Sequence, residues 1–74
     1  MGAVRLAGIK RVAAKFGITI MPARSGSSHW RAWARGKSYP ITAHNGLKTP
    51  IPDRYIVGLC RCFDLDEAAF RRLL

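Results

Sequence analysis

The spacing of apolar residues along this 74-residue chain changes from a helical period to a period of two and then back again. Between Val4 and Phe16 the apolar side chains fall on one arc of a helical wheel, which predicts an amphipathic helix. Two later segments, residues 29–35 and 39–44, alternate in character as half-buried strands do. The helical arc consists of Leu6, Ile9, Val12, Ala13 and Phe16.

A further short strand is predicted directly after the first helix. Gly17 supplies the left-handed residue that commonly ends a helix. The β-branched run from Ile18 to Met21 follows, and Pro22 ends it because proline cannot donate to a strand ladder. Residues 24–28, Arg-Ser-Gly-Ser-Ser, then predict a turn.

The second predicted strand, residues 29–35, has two different faces. One face carries Trp30, Ala32 and Ala34. The other carries His29, Arg31, Trp33 and Arg35. A basic and aromatic face of this kind is typical of nucleic-acid binding.

The third predicted strand runs from Tyr39 to His44, after a turn at residues 36–38. Its two faces carry Tyr39, Ile41 and Ala43 on one side and Pro40, Thr42 and His44 on the other. Pro40 favours a position at the edge of the sheet. If both strands keep their registers, His44 emerges on the same side of the sheet as His29.

Two helices are predicted to close the chain. Asp53 is the expected N-cap of a helix that buries Ile56, Leu59, Cys60 and Phe63. Asp64 and Glu67 have capping-box spacing before a last short helix that carries Ala68, Phe70, Leu73 and Leu74. We therefore predict one α+β domain over residues 1–74, of order α-β-β-β-α-α, with a three-stranded antiparallel sheet packed on helices. A helix, a three-stranded meander and a helix is also the order of the double-stranded-RNA-binding fold.

Charge points to a polyanionic ligand. The chain has 13 Lys and Arg against 4 Asp and Glu, for a net charge of +9, and residues 1–52 contain no acid. Such a balance favours binding to nucleic acid through its phosphates, and topology and charge together favour RNA. An acidic protein partner is the alternative. The residues expected to contact phosphate are Lys10, Lys15, Arg24, Arg31, Arg35 and Lys37.

Cysteine and apolar content exclude several other classes of protein. Cys60 and Cys62 are one residue apart, which in a helix points them to different faces and prevents a disulfide between them. With only two histidines besides, no ordinary zinc ligand set can be assembled, and no cofactor is expected. The absence of a long apolar run and of a signal-peptide pattern leads us to expect a soluble cytoplasmic protein.

Histidine is the side chain most suited to proton transfer at neutral pH, and His29 lies at the mouth of a predicted strand. From the residues alone, a surface or hydrogen-bonding role for His29 is the more common alternative. His44, next to Asn45 and Gly46, has the setting of a turn residue. Trp30 and Trp33 fit core or half-core positions better than stacking platforms.

Taken together, residues 24–30 (Arg-Ser-Gly-Ser-Ser-His-Trp), residues 39–46 (Tyr-Pro-Ile-Thr-Ala-His-Asn-Gly) and the closing helix resemble the HicA family of toxins. The resemblance covers residues 5–72. It implies a double-stranded-RNA-binding-like fold, a ribosome-independent mRNA interferase activity and neutralisation by a HicB-like antitoxin. It also implies that His29 is the functional residue, with Gly26 and Ser28 shaping its turn.

The chain differs from the family pattern in two places. Residues 52–56, Pro-Asp-Arg-Tyr-Ile, replace the family's usual Gly-Thr-Leu entry to the last main helix, and a short helix is added after it. The family's Gly-Ser-His element is here Gly-Ser-Ser-His.

These observations lead to the hypothesis of a metal-independent RNA-cleaving toxin. His29 would move a proton while Arg31, Arg35 or Lys37 offsets charge on the phosphoryl oxygens, during attack by a 2′-hydroxyl or by water. His44 and Ser28 are the candidate assisting residues. The alternatives are a non-catalytic RNA- or DNA-binding module and an interaction protein whose charge serves an acidic partner.

Overall fold

A computed structural model describes residues 4–22 and 29–74 of the chain. Its elements are α1 (Leu6–Lys15), β1 (Thr19–Pro22), β2 (His29–Ala34), β3 (Lys37–Thr42), a 3-10 turn (Gly46–Lys48), α2 (Asp53–Cys62) and α3 (Glu67–Leu73). The predicted α+β class and the order α-β-β-β-α-α are confirmed. The 3-10 turn between β3 and α2 is an addition.

The strands form one antiparallel sheet of order β1-β2-β3. Trp33 of β2 lies opposite Thr19 of β1 and Ser38 of β3, and His29 lies opposite Thr42. The central strand is thus β2, and β3 is an edge strand, as Pro40 predicts.

The helices cover one face of this sheet. Ile20, Ala32 and Ile41 project from the three strands into the core that the helices complete. Within residues 4–22 and 29–74, fifteen hydrophobic residues form this core: Leu6, Ile9, Val12, Ala13, Ile18, Ile20, Ala32, Ile41, Ala43, Ile51, Ile56, Leu59, Cys60, Phe63 and Phe70. The predicted inner faces of α1 and α2 are therefore confirmed, except that Phe16 is half-buried, where its ring stacks on Phe70 with centroids 5.7 Å apart.

The β2–β3 hairpin is tighter than the sequence pattern predicts. Arg35 and Gly36 both have positive φ, at 50° and 76°, and form a two-residue turn between the paired residues Ala34 and Lys37. Positive φ at both central residues is the signature of a type I′ turn, whose twist matches that of the flanking strands. The predictions that Arg35 continues β2 and that residues 36–38 form the turn were wrong for this reason.

The predicted caps of the last two helices were also wrong. Asp64 does not cap α3; it takes a left-handed φ of 60° after α2, where the Leu65 amide donates to the Cys60 carbonyl at 2.8 Å. The N-cap of α3 is Asp66, whose carboxylate accepts from the Ala68 amide at 3.0 Å. Asp53 is the first residue of α2 rather than its cap, and its carboxylate pairs with Arg71 at 2.7 Å.

The last helix, α3, buries fewer apolar side chains than the sequence predicts. Phe70 is fully buried, while Ala68 and Leu73 are exposed and Leu74 is half-buried. Both cysteines are free; Cys60 is buried and Cys62 half-buried. None of the helices in residues 4–22 and 29–74 is long and apolar enough to cross a bilayer.

Two helical glycines offer a matched test of this packing. Alanine is favoured over glycine by up to about 1 kcal/mol in a helix, so both substitutions would stabilise in open space. A Cβ at Gly8 would meet only Leu74 Cδ2 at 3.8 Å, whereas a Cβ at Gly58 would overlap the Tyr39 phenol, with Cζ at 2.6 Å.

We expect Gly8→Ala to be neutral or stabilising and Gly58→Ala to lower the free energy of unfolding by about 1–3 kcal/mol, as overpacking does. Urea unfolding of both variants beside the parent measures this. A Gly58→Ala variant more stable than the parent would show that Tyr39 does not pack over α2.

Candidate nucleic-acid interface

The sheet face opposite the helices is left open by the described residues. Its outward side chains are Thr19, Met21, His29, Arg31, Trp33, Ser38, Pro40 and Thr42. Of these, only Ser38 and Thr42 are half-buried, and the others are exposed. Trp33 and Met21 keep 46% and 47% of their surface in water, so this face carries two exposed large apolar side chains.

The central strand places three chemically different groups in a row on this open face. His29, Arg31 and Trp33 alternate along β2, about 6.6 Å apart per step at the usual rise of a strand. The prediction that Trp33 points away from the core is confirmed. The expectation of a core or half-core position is right for Trp30, which is half-buried, and wrong for Trp33, which is exposed. The Arg31 guanidinium donates to the Ser38 hydroxyl at 3.2 Å, and this bond positions the guanidinium against the sheet.

His29 is the first residue of β2, and its side chain is exposed. The prediction that His29 lies at the start of a strand is confirmed. The segment before it lies outside the described residues, so the roles predicted for Arg24, Gly26 and Ser28 stay predictions.

His44 is exposed but is not part of the sheet. The strand ends at Thr42, because residues 44–45 turn into the 3-10 segment, where the Asn45 amide donates to the Thr49 hydroxyl at 2.7 Å. The prediction that β3 continues to His44 was wrong, and strand alternation no longer sets the direction of its side chain. Neither imidazole hydrogen-bonds to another side chain in residues 4–22 and 29–74.

The other predicted phosphate contacts are divided among different surfaces. Arg35 donates to the Phe63 carbonyl at 3.3 Å, and Lys37 to the Cys62 carbonyl at 3.4 Å. Both cations thus lie at the negative end of the α2 dipole, and their hydrogen bonds connect the β2–β3 hairpin to α2. The prediction that Arg35 shares the face of His29 was therefore wrong, because its turn conformation directs its side chain toward α2.

The two predicted contacts on α1 lie on the helical side of the sheet. Lys10 and Lys15 are both exposed. Lys10 borders an open groove of about 250 Å³, lined also by Ala14, Gly17, Ile18, Thr19 and Ile20. Of the six predicted cations, Arg31 alone is described on the open face.

Two residues at the start of α2, Arg54 and Tyr55, were not predicted from the sequence, and Tyr55 lies beside Thr42, the partner of His29. Tyr55 is half-buried in the first turn of α2, and the Arg54 guanidinium lies over its ring, 5.4 Å from the centroid. The neighbouring Thr42 side chain lowers the pKa of Tyr55, and Arg54 lowers it further. By contrast, burial raises the pKa of Tyr39, and the nearby Tyr55 adds to the effect. No local pattern in the sequence could have predicted this contact, because it depends on how α2 packs along β3.

Among residues 4–22 and 29–74, no three His, Cys, Asp or Glu side chains are grouped as a metal ion requires. Comparison with protein-family models, with curated proteins and with solved structures finds no match for this chain.

Proposed function

We propose that this protein is a metal-independent endoribonuclease, the toxin of a toxin–antitoxin pair similar to HicA and HicB, and that it acts on mRNA in the cytoplasm. The observation that carries the proposal is the row of His29, Arg31 and Trp33 on an open sheet face. The row supplies a proton carrier, a phosphate-binding cation and a stacking surface on one strand. The resemblance of residues 24–30 and 39–46 to the HicA family supports the same assignment.

The open face suits single-stranded RNA better than a duplex. Unpaired bases stack on exposed aromatic rings, and such stacking tolerates any sequence because every base has a π-face. A base on Trp33 leaves its backbone near Arg31, whose guanidinium can donate to two phosphate oxygens at once. The chain then continues along β2 toward His29.

The chemistry that we propose is attack of a ribose 2′-hydroxyl on the adjacent phosphorus. The O2′–P bond forms, the P–O5′ bond breaks, and the products are a cyclic phosphate and a free 5′-hydroxyl. His29 exchanges one of the two protons that move, and Arg31 offsets the charge that develops on the phosphoryl oxygens. DNA lacks the 2′-hydroxyl, so this route is specific for RNA. Attack by water is the alternative route at the same phosphorus.

The proposed protein partner is a cognate HicB-like antitoxin with an acidic surface. A net charge of +9 with no acid before Asp53 attracts an opposite charge and speeds encounter. An antitoxin that covered the β2 row would block both the stacking surface and His29.

The experiment that tests the proposal uses purified protein with one end-labelled RNA and with DNA of the same sequence, both in chelator. We expect fragments from RNA and none from DNA. A gel shift without fragments would support the non-catalytic binding module instead, since that function needs only Arg31 and Trp33. No shift and no fragments would favour an interaction protein.

A further inference from the structure

Cleavage by internal attack moves two protons, and His29 accounts for one. The 2′-hydroxyl must lose a proton, and the leaving 5′-oxygen must gain one. His44, expected as the assisting residue, lies in a turn beyond the end of β3 and makes no hydrogen bond to another described side chain. The neighbours of His29 across the sheet offer a second candidate for this proton carrier.

The register of the sheet identifies the β3 residue nearest to His29. Thr42 lies directly opposite His29, and directly opposed residues in an antiparallel pair have Cβ atoms about 4.5–5.5 Å apart. Because β3 is an edge strand, no further strand covers the side of Thr42 that faces away from His29. Side chains of α2, which packs along β3, can reach that side.

Tyr55 lies on the side of Thr42 that faces away from His29. It lies in the first turn of α2, on the same face of the helix as Gly58 and Cys62. Gly58 packs against Tyr39 of β3, and the Cys62 thiol donates to the Ser38 carbonyl at 3.8 Å, so this face of α2 follows β3 and brings the Tyr55 phenol beside Thr42. The residue is half-buried and packs against the margin of the core, which fixes the ring while part of it stays in water. Thr42 thus stands between an imidazole and a phenol at one end of the sheet.

We propose that Tyr55 is the general acid that protonates the leaving 5′-oxygen, while His29 is the base that takes the 2′-hydroxyl proton. This inference rests on the proposed function. As the O2′–P bond forms and the P–O5′ bond breaks, the phenol proton passes to O5′ and leaves a phenolate. Water then returns a proton to Tyr55 and removes the one held by His29.

The surroundings of Tyr55 favour this role. A phenolate formed during the reaction accepts a hydrogen bond from Thr42 and lies beside the Arg54 guanidinium. Both interactions stabilise the charged form, and the lowered pKa of Tyr55 makes it a stronger acid than an ordinary tyrosine. Tyr39, the other tyrosine, lies over Gly58 on the core side, and burial raises its pKa.

The test compares Tyr55→Phe, Tyr39→Phe and His29→Ala on two RNA substrates. One is ordinary RNA, and the other carries sulfur in place of the bridging 5′-oxygen, a leaving group that departs without an acid. Melting temperature and gel shift establish that each variant is folded and binds RNA. Tyr39→Phe is the matched control, because it removes the same hydroxyl from a tyrosine on the core side.

We expect Tyr55→Phe to slow cleavage of ordinary RNA by about a hundred-fold or more, the usual loss for a missing general acid. On the sulfur substrate its rate should return close to that of the parent. His29→Ala should stay slow on both substrates, and Tyr39→Phe should cleave both at the parent rate.

Two results would overturn the assignment while the proposed function stands. Tyr55→Phe cleaving ordinary RNA at the parent rate would exclude Tyr55 from the reaction. Tyr55→Phe equally slow on both substrates would make it a positioning residue only. If His29→Ala cleaved both substrates at the parent rate, the proposed function itself would fail, and this inference with it.

Discussion

Replacement of His29 by alanine is expected to abolish RNA cleavage and toxicity while the fold and most of the RNA affinity remain. Loss of a general acid or base costs about a hundred- to ten-thousand-fold in rate. Because the His29 side chain is exposed, its removal should change the free energy of unfolding by less than about 1 kcal/mol. Cleavage rate, gel shift and melting temperature of the variant beside the parent measure the three effects separately.

His44→Ala is the matched control for this variant. It removes the chain's other imidazole from an exposed turn, outside the sheet. We expect it to cleave RNA at nearly the parent rate. If His29→Ala unfolds the domain, His29 is a structural histidine; if it folds and cleaves at the parent rate, it takes no part in the reaction.

The second large effect is expected from Trp33→Ala, which should weaken RNA binding without weakening the fold. Stacking of one base on an aromatic ring contributes about 1–3 kcal/mol, which corresponds to about a 5- to 150-fold rise in Kd. Because 46% of the Trp33 surface is exposed, little packing is lost with the ring. Titration of a short single-stranded RNA at fixed salt, by fluorescence anisotropy, measures the change.

Trp30→Ala is the control that separates stacking from packing. Trp30 occupies the same strand but points to the other face, where it is half-buried against the core. Its loss should destabilise the domain by about 3 kcal/mol, the lower end of the range for buried Trp→Ala. If Trp33→Ala binds RNA as tightly as the parent, the open face is not the RNA-binding surface.

Much of this fold could be predicted because two periods in the sequence match two kinds of element. The apolar spacing in α1 and α2 predicted the buried faces that are observed, and alternation in β2 predicted that Trp33 points outward. Pro40 predicted the edge position of β3. These predictions succeed because burial of one face determines both the pattern and the structure.

The predictions that failed concern chain ends, where backbone conformation outweighs side-chain pattern. Arg35 alternates correctly for a strand, but Arg35 and Gly36 form the tight turn that fits the strand twist. Asp64 has capping-box spacing to Glu67, but it ends α2 in a left-handed conformation, and Asp66 caps α3. Local spacing could not distinguish these outcomes.

The candidate site could be predicted only in part, for a different reason. His29, Arg31 and Trp33 share one strand, so alternation alone brings them together. Tyr55 comes near Thr42 only because α2 packs along β3, and no local pattern encodes that contact. The charge count likewise predicted a basic chain, but it could not show that Arg35 and Lys37 bond to the end of α2.

We propose that this chain cleaves RNA by means of His29, without a metal ion. The most direct measurement is the time course of cleavage of one end-labelled single-stranded RNA by the parent and by His29→Ala, side by side in chelator, at protein concentrations that saturate the RNA in a gel shift. We expect fragments to accumulate with the parent and the RNA to stay intact with the variant. Equal cleavage by both proteins, or an intact RNA with a folded and RNA-bound parent, would contradict this proposal.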